Sequence, residues 1–177
     1  FLSLSLAVGI VASITFFTDR LDGSLMMESK QFLGGDLKYE SDTPLDESSF
    51  PIGDYSYASI YEFGSVLGSS RKFQLASVKS VSPPYPLIGE FEILKKYDER
   101  VLETNPPKSG KVWLDTRLAN LLEVTIDDVI NIGEKDFSIS GIILAESDRG
   151  AGSFAFAPKA IMNSSDLKEA NVIQPGS

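Results

Sequence analysis

At 177 residues, with 42% apolar side chains and a balanced mean hydropathy, the chain is long enough to bury one ordinary core or two small ones. Its net charge of −9, from 25 acidic and 16 basic residues, excludes the concentrated basic face that a nucleic-acid partner requires. The absence of cysteine and histidine removes disulfides, thiolate metal sites, cysteine nucleophiles and imidazole acid–base chemistry.

The first residue is Phe1 rather than Met, so the chain is read as a piece of something longer. Residues 1–17 carry no charge, and the run ends at Thr18-Asp19-Arg20. A membrane span needs about 20 apolar residues, so residues 1–18 are expected to be the end of a transmembrane helix. Ser3, Ser5, Gly9, Ala12 and Ser13 are small residues of the kind that let membrane helices approach. A buried soluble helix is the alternative, and a signal-peptide core is disfavoured because no small-residue cleavage site follows. The helix is expected to continue as a stalk over 19–35. Leu21, Leu25, Phe32 and Leu33 fall on one helical stripe, and Gly34-Gly35 end it. These six residues are the candidate structural and coupling positions.

Residues 36–41 alternate with period two and predict a strand, followed by turns near Thr43-Pro44 and Gly53-Asp54. Residues 55–66 and 71–82 predict two strands joined by a hairpin turn at Gly68-Ser69-Ser70. Tyr55, Tyr57 and Tyr61 share one face of the first, which core or cross-strand packing explains. Ser82-Pro83-Pro84-Tyr85-Pro86 ends the second strand. After a charged stretch over 95–110, Asn105-Pro106-Pro107 places a lobe boundary near 105–110.

Residues 111–114 then predict a strand, with Asp115 capping a helix over 116–122 whose Leu118, Leu121 and Leu122 point inward. Strands over 128–132 and 137–144 flank a turn at 133–136. A strand over 153–157 stops at Pro158, and 165–170 is helical. The fold class is α+β.

No catalytic constellation survives inspection. A Ser-His-Asp triad lacks its imidazole, and no G-x-S-x-G elbow or well-placed S-x-x-K supports a Ser-Lys dyad. Lys108-Ser109-Gly110-Lys111 has Asn105 where a phosphate loop needs its first glycine and Val112 where it needs Ser or Thr, so it reads as a surface turn. Asp127-Asp128 and Asp46-Glu47 lack the calcium-loop pattern and read as solvated carboxylates. Asn163-Ser164-Ser165 matches a glycosylation triplet too common to carry weight. No catalytic residue, metal or cofactor is expected in this chain, and it is not read as an enzyme.

An ordered set of short signatures spans the chain: Phe32-Leu-Gly-Gly-Asp-Leu37, Phe73-Gln-Leu-Ala-Ser-Val-Lys79, Tyr85-Pro-Leu87 with Gly89, Val112-Trp-Leu-Asp115, Leu121-Leu122, Asp128-Val-Ile130, Ile132-Gly133, Phe137-Ser-Ile-Ser-Gly-Ile142, Asp148-Arg-Gly150, Ala157-Pro158 and Gln174-Pro-Gly176. In this order they resemble the FtsX-like, MacB-type ABC transporter permeases, most of all the YbbP-like branch. The resemblance implies a transmembrane and stalk helix followed by a MacB-like periplasmic domain. A porter-like α+β lobe (36–109, returning over 151–177) would carry an inserted β-rich lobe (110–150). The family's closing porter strand and later membrane helices do not follow, so the last porter strands are expected either to be unpaired or to be supplied with a partner otherwise. The resemblance further implies a bacterial inner-membrane protein whose residues after about 18 are extracytoplasmic. Its partner would be a separate cytoplasmic ABC ATPase, its cargo lipid-like, lipoprotein or peptide, with a periplasmic lysophospholipase or thioesterase as a second partner. The alternative within the resemblance is an FtsX-type signalling subunit that activates a periplasmic hydrolase.

Overall fold

The computed structural model describes residues 1–41, 43, 45, 53–146 and 156–172, leaving aside the side chains of Leu2, Leu4, Gln31 and Phe32. Pro44, Asp46 and Glu47, residues 153–155 of the strand expected over 153–157, and the Asp148-Arg149-Gly150 and Gln174-Pro175-Gly176 signatures lie outside the described residues.

Helix α1 runs Leu2–Leu33 without a break, so the expected membrane and stalk segments are one helix. No proline interrupts it, and three of its hydroxyls bond back to the helix's own carbonyls. Ser13 donates to the Gly9 carbonyl, Thr15 to Val11 and Thr18 to Ile14. Residues 36–41 form no strand. Their alternation suits one, but a strand needs a ladder partner, and all six residues are exposed.

Among the described residues eight strands follow: β1 Ile60–Gly68, β2 Phe73–Val81, β3 Phe91–Leu94, β4 Arg100–Glu103, β5 Lys111–Asp115, β6 Val129–Ile132, β7 Lys135–Glu146 and β8 Lys159–Asn163. Helix α2 spans Thr116–Leu122 and α3 spans Leu167–Ala170. They form one sheet in the order β4-β3-β7-β5-β8-β2-β1-β6, and β6 also pairs with β7. That extra pairing closes β7-β5-β8-β2-β1-β6 into a barrel, from which the β3–β4 hairpin projects.

The barrel interior holds the main core, to which all six strands contribute. Leu67, Val78, Val112, Leu114, Ile130, Ile132, Phe137, Ile139, Ala160 and Met162 are buried there, with Leu118, Ala119 and Leu122 of α2 and Ala170 of α3 packed among them. A barrel this small is filled by side chains rather than left open. Strands before the boundary expected near 105–110 and strands after it line this same interior, and Asn105-Pro106-Pro107 is a loop within the sheet. Strand β8 is paired on both sides, with β2 and β5, so of the two alternatives for the last strands it is the supplied partner that holds for β8.

The β1–β2 hairpin has the expected turn. Ser69 N donates to the Lys72 carbonyl, and Ser69 Oγ accepts from the Arg71 and Lys72 amides. Asp115 caps α2 as expected, accepting the Leu118 amide at 2.6 Å, and its other oxygen accepts the Lys159 amide at 3.0 Å. Three expectations are corrected. Tyr55, Tyr57 and Tyr61 are exposed rather than packed, because the strand begins only at Ile60 and Tyr61 stands at its outer end, short of Phe63 and Leu67 that pack into the barrel. Leu121 is 39% exposed while Leu118 and Leu122 are fully buried, since the inward arc of α2 is centred on Leu118, Ala119 and Leu122. Pro158 does not end a strand but precedes β8. Its missing N–H falls outside the ladder, and its carbonyl accepts the Ser77 amide. The β3–β4 hairpin, whose second strand lies inside the stretch read as charged, was not expected.

The Lys108-Ser109-Gly110-Lys111 turn is tied down from below. Buried Asp166 accepts from Ser109 Oγ at 2.6 Å and from the Gly110 amide at 2.9 Å, and pairs with Lys135 Nζ at 2.6 Å. Burial alone would raise the Asp166 pKa, but these donors, Lys135 foremost, hold it below the usual carboxylate range. The bonds to Asp166 and Glu169 in turn hold Lys135 above the usual lysine value.

Two stability outcomes are expected. Leu122→Ala should destabilise by about 2–5 kcal/mol in urea unfolding, whereas Leu121→Ala should cost less than about 1 kcal/mol. Because the Asp166 pKa is depressed, its contribution is complete above the unfolded-state value near ~4 and is lost as pH falls through the lower folded value. Unfolding curves recorded down a pH series should show this loss, and Asp166→Asn should flatten it.

Candidate functional site at the stalk junction

The six residues singled out in the sequence divide by position. Leu21, Leu25 and Leu33 lie on α1 and are 46%, 55% and 38% exposed, with no cover among the described residues. Phe32 lies on the same helix, its side chain outside the description. Gly34 and Gly35 are buried and form the junction with the barrel domain.

The junction is built from backbone geometry. Gly34 adopts φ 66°, a left-handed conformation that costs a residue with a Cβ about 1–2 kcal/mol. That turn lets the Gly35 amide reach back to the Lys30 carbonyl at 3.2 Å, the bond of a Schellman helix end. It also aims the Gly34 carbonyl at the following domain, where it accepts the Ile88 amide at 3.0 Å. A Cβ on Gly35 would stand 3.5 Å from Leu87 Cδ1, so the helix end rests against Leu87. Lys30 Nζ and Asp36 bridge the turn at 2.6 Å. Both are exposed enough that the pair contributes less than about 1 kcal/mol.

Leu87 and Ile88 belong to the loop over 82–90, which enters a second core on the outer wall of the barrel. Val81, Tyr85, Phe91, Ile93, Trp113, Ile143 and Ile161 are buried there. Phe91 meets Trp113 edge-on, with ring centroids 5.4 Å apart, and Tyr85 at 5.9 Å. Beneath them Lys79, 3% exposed, donates to Glu146 at 2.6 Å, and Glu146 accepts Lys159 at 2.9 Å. In the sequence Tyr85 marks the end of a strand and Tyr85-Pro-Leu87 is one of the ordered signatures, but neither says what Tyr85 touches. Lys79 carried a usable signal, the one charged residue of strand β2. Glu146 carried none, because its partners are distant in sequence.

Of the carboxylates considered for cation binding, Asp127 and Asp128 have other partners. Asp127 pairs with Lys96, whose hydrogen bond and charge lower the Asp127 pKa. Asp128 accepts the Thr125 amide at 2.7 Å. Among the described residues no group of three or more carboxylates is placed to hold a metal ion. Asn163 Oδ1 accepts from the Ser165 amide and hydroxyl, and its Nδ2 donates to the Pro107 carbonyl, so it serves the local turn.

No protein-family model matches the sequence. Against individual proteins, the chain is 30% identical over 183 aligned positions to the ABC transporter permease YbbP of Escherichia coli K12. The alignment covers 99% of this chain and 21% of that protein. The chain is similar over nearly all its length to one part of an ABC transporter permease. It spans about a fifth of its permease relative's length, and the alignment takes in α1, the junction and the barrel alike. Among solved structures, the periplasmic region of MacB from Actinobacillus actinomycetemcomitans aligns with TM-score 0.45 at 14% identity, over 68% of this chain and 52% of that one. The extracellular domain of the noncanonic ABC-type transporter YknZ from Gram-positive bacteria aligns with TM-score 0.47 at 6% identity, over 68% and 64%.

The junction makes a direct prediction. Gly34→Ala should speed hydrogen exchange at the Gly35 and Ile88 amides, and Gly34→Asn should do so less, because asparagine tolerates the left-handed region. Amide exchange followed by NMR measures both.

Proposed function

We propose that this chain is the extracytoplasmic domain of an ABC transporter permease, together with the outer part of the membrane helix that carries it. In this reading a separate cytoplasmic ATPase subunit hydrolyses ATP, and α1 carries the resulting displacement to the barrel domain to move lipid-like, lipoprotein or peptide cargo. The observation that carries the reading is that 99% of this chain aligns with one part of the YbbP permease.

The structure supports a mechanical role for α1. Phe16 and Phe17 are 73% and 69% exposed, and Leu6, Val8, Ile10, Val11 and Ile14 are exposed with them. An uncovered apolar surface of this extent calls for lipid or neighbouring helices. Among the described residues no helix is long and apolar enough to cross a membrane. Residues 1–17 as a helix rise about 25 Å, short of the ~30 Å hydrocarbon layer, so the run is proposed as part of a span. The helix then continues past Asp19 to the junction without a kink, and a continuous helix transmits displacement because its backbone bonds resist bending. The domain itself is proposed to be non-catalytic.

Ser24→Pro in the full-length permease should abolish cargo movement while leaving insertion and ATPase assembly intact, since proline removes a helix bond and clashes with the preceding turn. Ser24→Ala should be nearly silent. Full transport by the proline variant, with assembly confirmed by co-purification of the ATPase, would refute transmission through α1. The chain has no native cysteine, so the membrane placement is tested by single-cysteine labelling. Ser5→Cys should resist a water-soluble maleimide that reacts readily with Ser70→Cys.

A further inference from the structure

The loop over 82–90 holds both ends of a connection. At one end Ile88 donates its amide to Gly34 and Leu87 lies against Gly35, so the loop is fastened to the stalk by a backbone bond and an apolar contact. At the other end Tyr85 is sunk into the second core, 2% exposed, and its hydroxyl accepts from Lys79 Nζ at 2.6 Å. The same ammonium is held by Glu146 at 2.6 Å, and Lys159 reaches the other oxygen of that carboxylate. Lys79 sits on β2, Glu146 on β7 and Lys159 on β8, three strands of the barrel wall.

We infer that Tyr85 is a positioning residue that latches the stalk-bearing loop to the barrel wall through the buried Lys79–Glu146 pair, so that displacement of α1 is felt in β2, β7 and β8. The inference rests on the reading of this chain as a coupling domain and names the path. The physical ground is the cost of releasing the latch. A buried ammonium that loses a hydrogen-bond acceptor keeps its desolvation penalty without the compensating bond, and charge-assisted bonds are roughly twice as strong as neutral ones. The Lys79 ammonium also lies 4.8 Å from the Tyr85 ring centroid, which ties it to the ring as well as to the hydroxyl. The loop therefore cannot shift with the helix end unless Lys79 follows or the bond breaks. Packing of the Tyr85 ring alone would not act this way, because a ring in an apolar core slides at little electrostatic cost.

Tyr85→Phe separates the two cases, since it keeps the ring and removes the acceptor. The full 177-residue chain is studied by NMR in detergent micelles, with Gly34→Ala as the disturbance at the stalk end. In the Tyr85 background Gly34→Ala should shift the amide resonances of Lys79, Glu146 and Lys159. In the Tyr85→Phe background those shifts should fall to about a third or less, the non-additivity expected of coupled residues. Shifts that stop at Ile88, or that persist undiminished in Tyr85→Phe, overturn the latch. If Tyr85→Phe does not fold, fluorotyrosine incorporation gives a reading with Tyr85 in place. Its fluorine resonance must move in Gly34→Ala, and a stationary signal overturns the inference equally. Neither measurement involves ATPase or cargo, so their failure leaves the transport reading standing, and the Ser24→Pro assay can fail without touching the latch.

Discussion

Strand β6 is only four residues long, yet it pairs on both sides. It meets β1 through Leu67↔Ile132 and Gly68↔Asn131, and β7 through all four of its residues. Those pairings close the barrel. Without them β1 and β7 would present unpaired edges, and the interior around Leu67, Ile132 and Phe137 would open to water. The cost would be large, because about 25 cal/mol is at stake for each Å² of apolar surface. Helices α2 and α3 add apolar side chains to a core that the closed ring has already defined.

A closed ring has no edge from which to extend, so the second core depends on how β7 leaves the barrel. The register between β5 and β7 shifts at Val112/Trp113, leaving Ser140 as an extra residue. That bulge reverses the alternation. Phe137 and Ile139 face the interior before it, whereas Ile143 faces the second core after it. Gly141 follows immediately, where a Cβ would stand 2.3 Å from Ile93 Cγ2, so the close approach of β3 requires glycine. One strand thereby serves two cores, and the outer one gives Tyr85 and the stalk-bearing loop a rigid wall to rest on.

The electrostatic design matches this division. Asp166 and Lys135 bind a turn to the barrel rim, and Lys79, Glu146 and Lys159 join three strands beneath the second core. Buried pairs of this kind add little net stability over an apolar core, but they penalise any arrangement that separates the partners. They make good registers for position. On the proposed reading, a domain that receives displacement from a helix needs such fixed points more than it needs a pocket.

The sequence alone determined what depends on local patterns. The uninterrupted helix, its glycine end, the β1–β2 hairpin, the Asp115 cap and the α+β class all follow from residues within a few positions of each other. The likeness to a permease was legible in the order of short signatures spread over the chain. Tertiary structure alone decided which alternating segments became strands. Residues 36–41 had the pattern but no partner, while 91–103 and 159–163 found partners and became β3, β4 and β8. It also decided that Lys79 meets Glu146 across 67 residues and that Gly34 meets Ile88 across a loop. Strand pairing and buried charge pairs join residues distant in the chain, and no local periodicity records which distant residue will arrive.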